Sequence, residues 1–464
     1  MAMAVGKAGV PALRRDLGTI ESYATLLGIL IGAGIFKVTS DAGALTGPSV
    51  ILGYCLLAPA ILATSVAYSV FLSTPLGREP GGEYTHISRT FGGYGTAFVG
   101  AWLKIISYIG ALAYLAKVFA DYVLELFGRT AGMSAMPLAI GVLLFFYAVH
   151  VAGVRFFGRV QVWMLALLGV SLVVLVVPGL FAIHAANYRP FFTQGLAGFA
   201  RSLPPLFFAY AGFESLAQTA GEVRDSTTRL PRIFLRGISV TMVIYFLMSV
   251  VAFGVLPLER IRQSAAPMAE VARRYLPWGG AALVTLGAVM ALTTSVNATM
   301  LVPSRVAIML AADGLAPAWI GRISPRTGTP IAGLSVTLLA ALALLVSGQV
   351  SLALNIAVFA LVVLYFIHSF ALLALPRANP ELYRSATLSL PRWIQQLAAV
   401  VSMLVMGALV ILQVTSDISV LRHLTFRQRL EQASLTTIEL VLFWSAIGVV
   451  LYMGRRARST RVRA

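Results

Sequence analysis

The sequence predicts an all-α integral membrane protein with twelve transmembrane helices. Of its 464 residues, 59% are hydrophobic and only 11% are charged, and the mean hydropathy is +0.87. A soluble globular chain carries roughly 25% charged residues. The apolar residues also come in runs of about 20, the length that an α-helix needs to cross a bilayer. Composition and run length together exclude a soluble globular protein.

Twelve apolar runs are separated by polar connections that are often rich in Pro and Gly, as in "GREPGGEY" and "SPRTGTP". The third run is long enough for a tilted helix. We therefore predict spans at residues 20–45, 50–72, 93–127, 137–151, 160–183, 195–220, 233–255, 279–310, 331–346, 352–375, 394–414 and 437–453.

The distribution of positive charge predicts how the chain lies in the membrane. The formal net charge is +18, and Lys and Arg are concentrated on one face when both termini are placed in the cytoplasm. The basic C-terminal tail, 455–464, is typical of a segment that lies on anionic lipid, so membrane lipid is an expected partner and nucleic acid is not. Residues 1–17 predict a cytoplasmic tail, because they lack the apolar core of a signal peptide. The single cysteine, Cys55, allows no intrachain disulfide.

The stretch "GILIGAGIF", residues 28–36, places three glycines inside the first span. Each glycine in a helix interior costs about 1 kcal/mol relative to alanine. One interpretation is close packing, because small residues let helix backbones approach one another. The other is a discontinuous helix, whose free backbone N–H and C=O groups bind a ligand near the middle of the bilayer. The stretch alone leaves both interpretations open.

A similar stretch lies in the sixth span. The segment "FFAYAGFESLAQTAGEV", residues 207–223, has small residues between aromatic ones and carries Glu214. A carboxylate inside a span is expensive and indicates a function. Because the sixth span stands five spans after the first, the two interrupted helices would open two sets of five helices with opposite orientation. We predict a first repeat at 18–184 (helices 1–5), a second at 195–376 (helices 6–10), and helices 11–12 at 391–454.

Four stretches occur in the order of a known family: "RRDLGTIESYATLLGILIGAGIF" (14–36), "EPGGEYTHISRTFGGYGTAFVGAW" (79–102), "FFAYAGFESLAQTAGEVRDSTTRLPRIF" (207–234) and "SVNATMLVPSRVAIMLAADGLAPAWIGRISPRTGTP" (295–330). They resemble the amino acid–polyamine–organocation superfamily, whose members share the leucine-transporter fold. The resemblance covers residues 14–330, and spans nine to twelve match only in hydropathy. It implies the 5+5 inverted repeat with discontinuous helices 1 and 6.

The two breaks predict a binding site for the two charged groups of an α-amino acid. The second half of helix one would offer backbone N–H groups to the substrate carboxylate. The carbonyls that end the first halves, near Leu30, Ile31, Phe208 and Ala209, would suit an ammonium group. The predicted substrate-binding residues are Ile31, Gly32, Ala33, Gly34, Ile35, Tyr108, Phe208, Ala209, Tyr210, Ala211 and Gly212.

The resemblance implies further roles for individual side chains. Phe208 corresponds to an aromatic lid over the substrate, and Tyr108 lies where the family often has a ring or hydroxyl that faces the site. Glu214 corresponds to a helix-six carboxylate that holds the break or relays protons. Glu222 is expected to be a surface-loop carboxylate near Arg224 or Arg229, with a structural role favoured over a catalytic one. For each aromatic residue alone, ordinary packing is the competing interpretation.

The sequence leaves open whether transport is coupled to sodium or to protons. The segment "ALTTS", 291–295, resembles a sodium-coupled pattern, and the predicted sodium ligands are Gly28, Ile31, Ala291, Thr294 and Ser295. The alternative is that the hydroxyls only bond helix backbone. Proton-coupled relatives carry a lysine in helix five, and the corresponding place here is Leu168 or Gly169. Lys104 is expected to snorkel towards the membrane surface, with a displaced coupling ammonium as the alternative.

These observations predict a permease that moves an amino acid across the plasma membrane by alternating access, with ion-coupled uptake and no cofactor other than Na⁺ or H⁺. The predicted site contains no acidic residue other than Glu214, which favours small or apolar neutral substrates but leaves arginine and polyamines open. An exchanger of amino acids or polyamines is the alternative, and a transporter-derived sensor is a weaker one. An enzyme is not expected, since the spans contain no His-Glu-x-x-His and no paired aspartates. The sequence leaves a homodimer open.

Overall fold

The computed structural model describes residues 13–127, 134–264, 266–277, 279–431 and 436–461. Residues 1–12 of the predicted N-terminal tail and residues 462–464 of the predicted C-terminal tail therefore lie outside the described residues. Inside these ranges the chain is helical, and one parallel bridge joins Leu17 to Val223. The prediction of an all-α fold is confirmed.

The α-helices are numbered in chain order. They are α1 (Thr19–Ala33), α2 (Thr39–Thr46), α3 (Val50–Leu72), α4 (Glu83–Phe91), α5 (Gly95–Leu126), α6 (Ala135–Val151), α7 (Val154–Leu180), α8 (Gly195–Tyr210), α9 (Ser215–Gln218), α10 (Ser226–Val255), α11 (Leu258–Gln263), α12 (Pro267–Arg273), α13 (Gly280–Ala312), α14 (Ile331–Val346), α15 (Val350–Ala378), α16 (Pro380–Arg384), α17 (Arg392–His423), α18 (Phe426–Glu431) and α19 (Thr437–Arg461).

By length and composition, eight segments within the described ranges could cross a membrane, and the first of them, Thr19–Leu72, contains α1, α2 and α3. The helices α6 and α14 are apolar but shorter. Each of the twelve predicted spans is helical over most of its length. The first and the sixth differ from the others because each is interrupted within the span.

The first interruption lies at Gly32, whose φ of −3° and ψ of −132° are not helical. The chain continues as one π-helical turn, Gly34–Val38, before α2 begins. The second interruption follows α8: Ala211 is extended, Gly212 has a φ of +102°, and the short helix α9 begins only at Ser215. Glycine accepts a positive φ without steric cost, which lets the backbone turn here inside the protein.

Helix packing places the two interruptions side by side. The helix α1 packs against α13, α7 and α10, while α2 packs against α8. The long helix α5 packs against both α13 and α15. The breaks are therefore enclosed by α5, α10, α13 and α15, which is where irregular backbone is tolerated at membrane depth.

The side of the molecule on which α1 begins is closed by backbone and ionic contacts. The Leu17 N–H donates to the Glu222 carbonyl at 3.0 Å, and the Arg224 N–H donates to the Leu17 carbonyl at 2.9 Å. The Glu222 carboxylate pairs with Arg305 at 2.9 Å, and both side chains are buried. Glu222 is therefore not on the surface, and the structural role expected for it fits its position.

Candidate functional site

A small cavity lies between the two interrupted helices. Its free volume is ≈ 30 Å³, whereas pockets that hold drug-sized ligands measure roughly 300–1,000 Å³. Six of the predicted substrate-binding residues line it, together with Ser295 from the predicted sodium set. The lining residues are Ile29, Leu30, Gly34, Ser107, Tyr108, Ala111, Leu115, Phe208, Ala209, Ala211, Gly212, Ser295, Thr299 and Leu361.

Four predicted substrate-binding residues lie outside this lining. Ile31 and Ile35 are buried in the core, and Gly32 faces α13. The ring of Tyr210 packs on Tyr54 and Tyr245 instead of facing the cavity. The side chain of Ala33 lies outside the described part of the chain.

Sequence reasoning missed one face of the cavity although the sequence contains a signal for it. Ser107, Ala111 and Leu115 lie four residues apart on α5 and line the cavity together. That spacing puts small or apolar side chains on one stripe of a helix. Leu361 of α15 and Thr299 of α13 complete the lining; no local pattern singles them out.

The glycines of the first break serve close packing as well as backbone exposure. A Cβ atom at Gly34 would lie 2.6 Å from the Tyr245 hydroxyl and 2.8 Å from the Ala209 Cα. A Cβ at Gly32 would lie 1.8 Å from the Ser295 Oγ. Both interpretations of the glycine-rich stretch therefore apply, because the helix is interrupted and its backbone also touches its neighbours.

Tyr245 joins the two interruptions. Its buried hydroxyl donates to the Leu30 carbonyl and, at 2.5 Å, to the Ala209 carbonyl. The expectation that these carbonyls are free for an ammonium group is wrong for these two. One hydroxyl proton cannot fully satisfy both acceptors, so each carbonyl keeps some capacity to accept a hydrogen bond. Tyr245 comes from α10 and carried no sequence signal.

Glu214 is held beside the cavity by three donors. Tyr108 donates to its Oε1 at 2.7 Å, and the hydroxyl of Tyr365 donates to its Oε2. The Gly212 N–H, inside the second interruption, donates to the same Oε2 at 3.0 Å. The carboxylate therefore stabilises the break, and both of its oxygens accept hydrogen bonds from the protein.

A second buried carboxylate lies nearby, on α4. Glu83 forms an ion pair with Lys104 at 2.7 Å, and both side chains are almost inaccessible. Tyr68 donates to one oxygen of Glu83, and Gln218 of α9 donates to the other at 2.6 Å. The expectation that Lys104 snorkels to the membrane surface is wrong, because its partner is inside the protein.

Oxygen atoms of the predicted sodium set converge. The Thr294 hydroxyl lies 2.9 Å from the Gly28 carbonyl and 2.7 Å from that of Ala291, and the Ser295 hydroxyl lies 3.3 Å from the Gly28 carbonyl. These hydroxyls donate to the carbonyls. Ile31 has no described contact to this group.

In α7, the predicted fifth span, the side chain that reaches the oxygen atoms of the predicted sodium set is that of Gln161, not of Leu168 or Gly169. Its Nε2 donates to the Thr294 carbonyl at 3.1 Å and to that of Ala24 at 3.3 Å. A Cβ on Gly28 would approach the same nitrogen to 2.5 Å. A neutral amide donor therefore stands where the resemblance allowed an ammonium group.

Two interrupted helices around one buried cavity, in a chain with many apolar helices, define the class of multi-pass membrane transporters. A family model described as "Amino acid permease" matches residues 17–425, and the chain belongs to this family. The superfamily resemblance is confirmed, and so is the expectation of a permease rather than an enzyme.

Curated relatives are similar over about two thirds of the chain. The branched-chain amino acid permease of Bacillus subtilis is 24% identical over 69% of this chain and 72% of its own length. Cationic amino acid transporter 9 of Arabidopsis thaliana, described as chloroplastic, is 28% identical over 68% of this chain and 58% of its own length. The methylthioribose transporter of Bacillus subtilis is 24% identical over 69% and 72%.

Proposed function

We propose that the chain carries a neutral amino acid across the plasma membrane by alternating access. The observation that supports this most directly is that Tyr245 touches carbonyls at both interruptions beside a buried cavity. Membership of the amino acid permease family supports the substrate class. The proposed arrangement is twelve spans in two inverted sets of five plus two, with both termini in the cytoplasm. The positive-inside distribution of Lys and Arg supports that orientation.

The cavity lining supports a substrate with a small or apolar side chain. Ala111, Leu115 and Leu361 present hydrocarbon, and Phe208 adds an aromatic ring to the lining. The one carboxylate beside the cavity, Glu214, is already bonded to two tyrosines and a backbone N–H. A cationic side chain would therefore find no free counter-charge among the lining residues described.

Ion-coupled uptake is the proposed mode of transport, with sodium as the ion to test first. Carbonyls of Gly28 and Ala291 and hydroxyls of Thr294 and Ser295 are neutral oxygens, a donor set that suits Na⁺. The hydroxyls would have to turn their protons away from these carbonyls to coordinate it. Exchange without an ion is the second candidate, because the amide of Gln161 supplies a hydrogen-bond donor at the same place.

Counterflow and uptake in proteoliposomes test both modes. We expect a sodium gradient to stimulate leucine uptake, and Thr294→Ala/Ser295→Ala to abolish the stimulation while exchange of bound substrate persists. The control Thr415→Ala/Ser416→Ala removes two exposed hydroxyls from α17. Uptake that does not respond to sodium but requires a proton gradient would identify protons as the coupling ion. Uptake that responds to neither gradient would identify exchange as the mode of transport.

A further inference from the structure

A basic cavity of ≈ 610 Å³ lies on the side where α1 begins, away from the substrate site. Five arginines line it, and they come from three separate parts of the chain. Arg15 precedes α1, Arg78 ends the short 3₁₀ turn Pro75–Arg78, and α10 supplies Arg229, Arg232 and Arg236. Asp225 is the one acid among the lining residues described, which gives these side chains a net charge of +4.

The sequence of α10 produces this concentration of charge. Arg229, Arg232 and Arg236 are spaced i, i+3 and i+7, which puts them on one face of the helix. Asp225 pairs with Arg229 at 2.8 Å, so one of the five charges is compensated. Like charges gathered this closely repel one another unless an anion joins them.

The first turn of α10 is open at the same cavity. Asp225 stands at the N-cap with a φ of +50°, and its side chain forms no capping hydrogen bond. The first N–H groups of a helix have no partner within the helix and carry partial positive charge. Ser226 is 1% exposed and lines the cavity, yet its hydroxyl has no hydrogen-bond partner among the described residues. A buried polar atom of this kind is costly unless a ligand satisfies it.

We infer that this cavity binds a phosphate group, supplied by the headgroup of an anionic lipid or by a soluble phosphate. Arginine matches phosphate oxygens with paired N–H donors, and a helix N-terminus beside a hydroxyl completes an anion site. Basic pockets between helices at the cytoplasmic membrane surface are where anionic headgroups bind. The site is separate from the substrate cavity and is not part of the proposed transport reaction.

Retention of defined probes by the purified full chain tests the site. The lipid arm adds phosphatidylglycerol, with phosphatidylcholine as the uncharged comparison, and counts bound lipid by native mass spectrometry. The soluble arm adds pyrophosphate and measures the shift in the thermal unfolding midpoint. We expect Arg232→Gln/Arg236→Gln to weaken retention of one probe by about tenfold or more. Ser226→Ala should weaken it without lowering the unfolding midpoint of the ligand-free protein.

The control is Arg322→Gln/Arg326→Gln, which removes two exposed arginines from the loop after α13. If Arg232→Gln/Arg236→Gln loses only the retention of phosphatidylglycerol, the cavity is a lipid site. If it loses only the thermal response to pyrophosphate, the ligand is a soluble phosphate. Either result supports the inference. Equal retention of both probes by the parent and Arg232→Gln/Arg236→Gln would overturn it. So would an equal loss in the control, because binding would then follow net charge and not this cavity.

Discussion

At the scale of single residues, the first interruption requires that Gly32 and Gly34 carry no side chain. Gly32 lies directly against Ser295 of α13, and Gly34 lies against Ala209 of α8. Any side chain at these positions would have to move a neighbouring helix. The interruption and the contact between helices are thus two consequences of the same glycines.

Gly32→Ala should abolish substrate transport while the protein still inserts in the membrane. Its methyl group would lie 1.8 Å from the Ser295 Oγ. The second change Ser295→Gly removes that atom together with the Ser295 Cβ at 3.0 Å, and it should restore part of the activity, since the next neighbour, the Ala291 carbonyl oxygen, lies at 3.5 Å. Uptake assays with expression controls measure both. The matched control is Gly169→Ala on α7, where an added Cβ meets nothing within 4 Å; equal loss of uptake in that variant would contradict the explanation.

Phe208→Ala should weaken substrate binding by about 1–3 kcal/mol, through lost stacking and burial. The ring lines the cavity and meets Tyr114 edge-on, with 5.7 Å between ring centroids. Isothermal titration with leucine measures the change. Phe181→Ala is the control because Phe181 is 89% exposed. Unchanged affinity in Phe208→Ala would place this ring in ordinary packing.

His86 should make stability depend on pH. Burial and the nearby Lys104 lower the pKa of His86 to about 3, whereas its ordinary value in an unfolded chain is about 6.5. The folded protein therefore keeps His86 neutral, beside His368 at 3.0 Å and stacked on Phe71. The contribution of neutral His86 to the free energy of unfolding is complete above about pH 6.5 and is lost progressively as the pH falls towards 3.

Thermal unfolding between pH 7 and pH 5 measures this dependence. His86→Gln should reduce the fall of the unfolding midpoint, and the exposed His423→Gln should leave it as in the parent. A fall of the same steepness in His86→Gln would assign the dependence to another group.

At the scale of helices, one buried ionic cluster ties the short helix α9 to the surrounding scaffold. Glu83 of α4 bonds Lys104 of α5, Tyr68 of α3 and Gln218 of α9. Four elements therefore depend on one carboxylate. Replacing a whole buried ion pair by apolar residues is often neutral, whereas removing one partner is strongly destabilising because the other charge stays buried without compensation.

Lys104→Met should destabilise the protein by about 3 kcal/mol, because it leaves Glu83 buried without its cation. Lys104→Met/Glu83→Gln should recover most of that loss. Denaturant unfolding in detergent measures both variants. Lys117→Met is the control, since the Lys117–Asp121 pair is 39% and 31% exposed and is expected to contribute less than about 1 kcal/mol. A double variant as unstable as the single one would show that Lys104 acts through packing and not through its charge.

Hydropathy and glycine spacing predicted the helices and the position of the first interruption, because both depend on local sequence. The residues that complete the site came from helices without such a signal. Tyr245 and Tyr365 are tyrosines in ordinary apolar spans, and only the packing of α10 and α15 brings their hydroxyls to Leu30 and Glu214. Lys104 was misjudged for the same reason, since its partner Glu83 lies 21 positions earlier, on another helix.

At the scale of the whole molecule, the structure is closed on both sides of the cavity. On the side where α1 begins, Leu17 bonds the backbone at Glu222 and Arg224. On the other side, Ser49 donates to the Phe191 carbonyl at 3.0 Å, and Arg262 donates to that of Ala44 at 3.0 Å. With ≈ 30 Å³ of free volume, the cavity must widen before an amino acid can enter.

Opening on the α1 side should follow from the loss of one backbone hydrogen bond. Leu17→Pro removes the N–H that donates to Glu222, a bond worth about 1 kcal/mol, and its loss shifts an opening equilibrium roughly fivefold.

The reporter for this opening is Ser107→Cys in a Cys55→Ser background, because Ser107 lines the cavity and Cys55 is the one native cysteine. We expect a membrane-impermeant thiol reagent to label this cysteine several-fold faster, but only from the α1 side. The control Leu17→Ala also loses the leucine side chain but keeps the N–H, so its labelling rate should stay nearer to that of the parent. Acceleration from the opposite side, or equal acceleration in both variants, would mean that the Leu17 bridge does not hold this side closed.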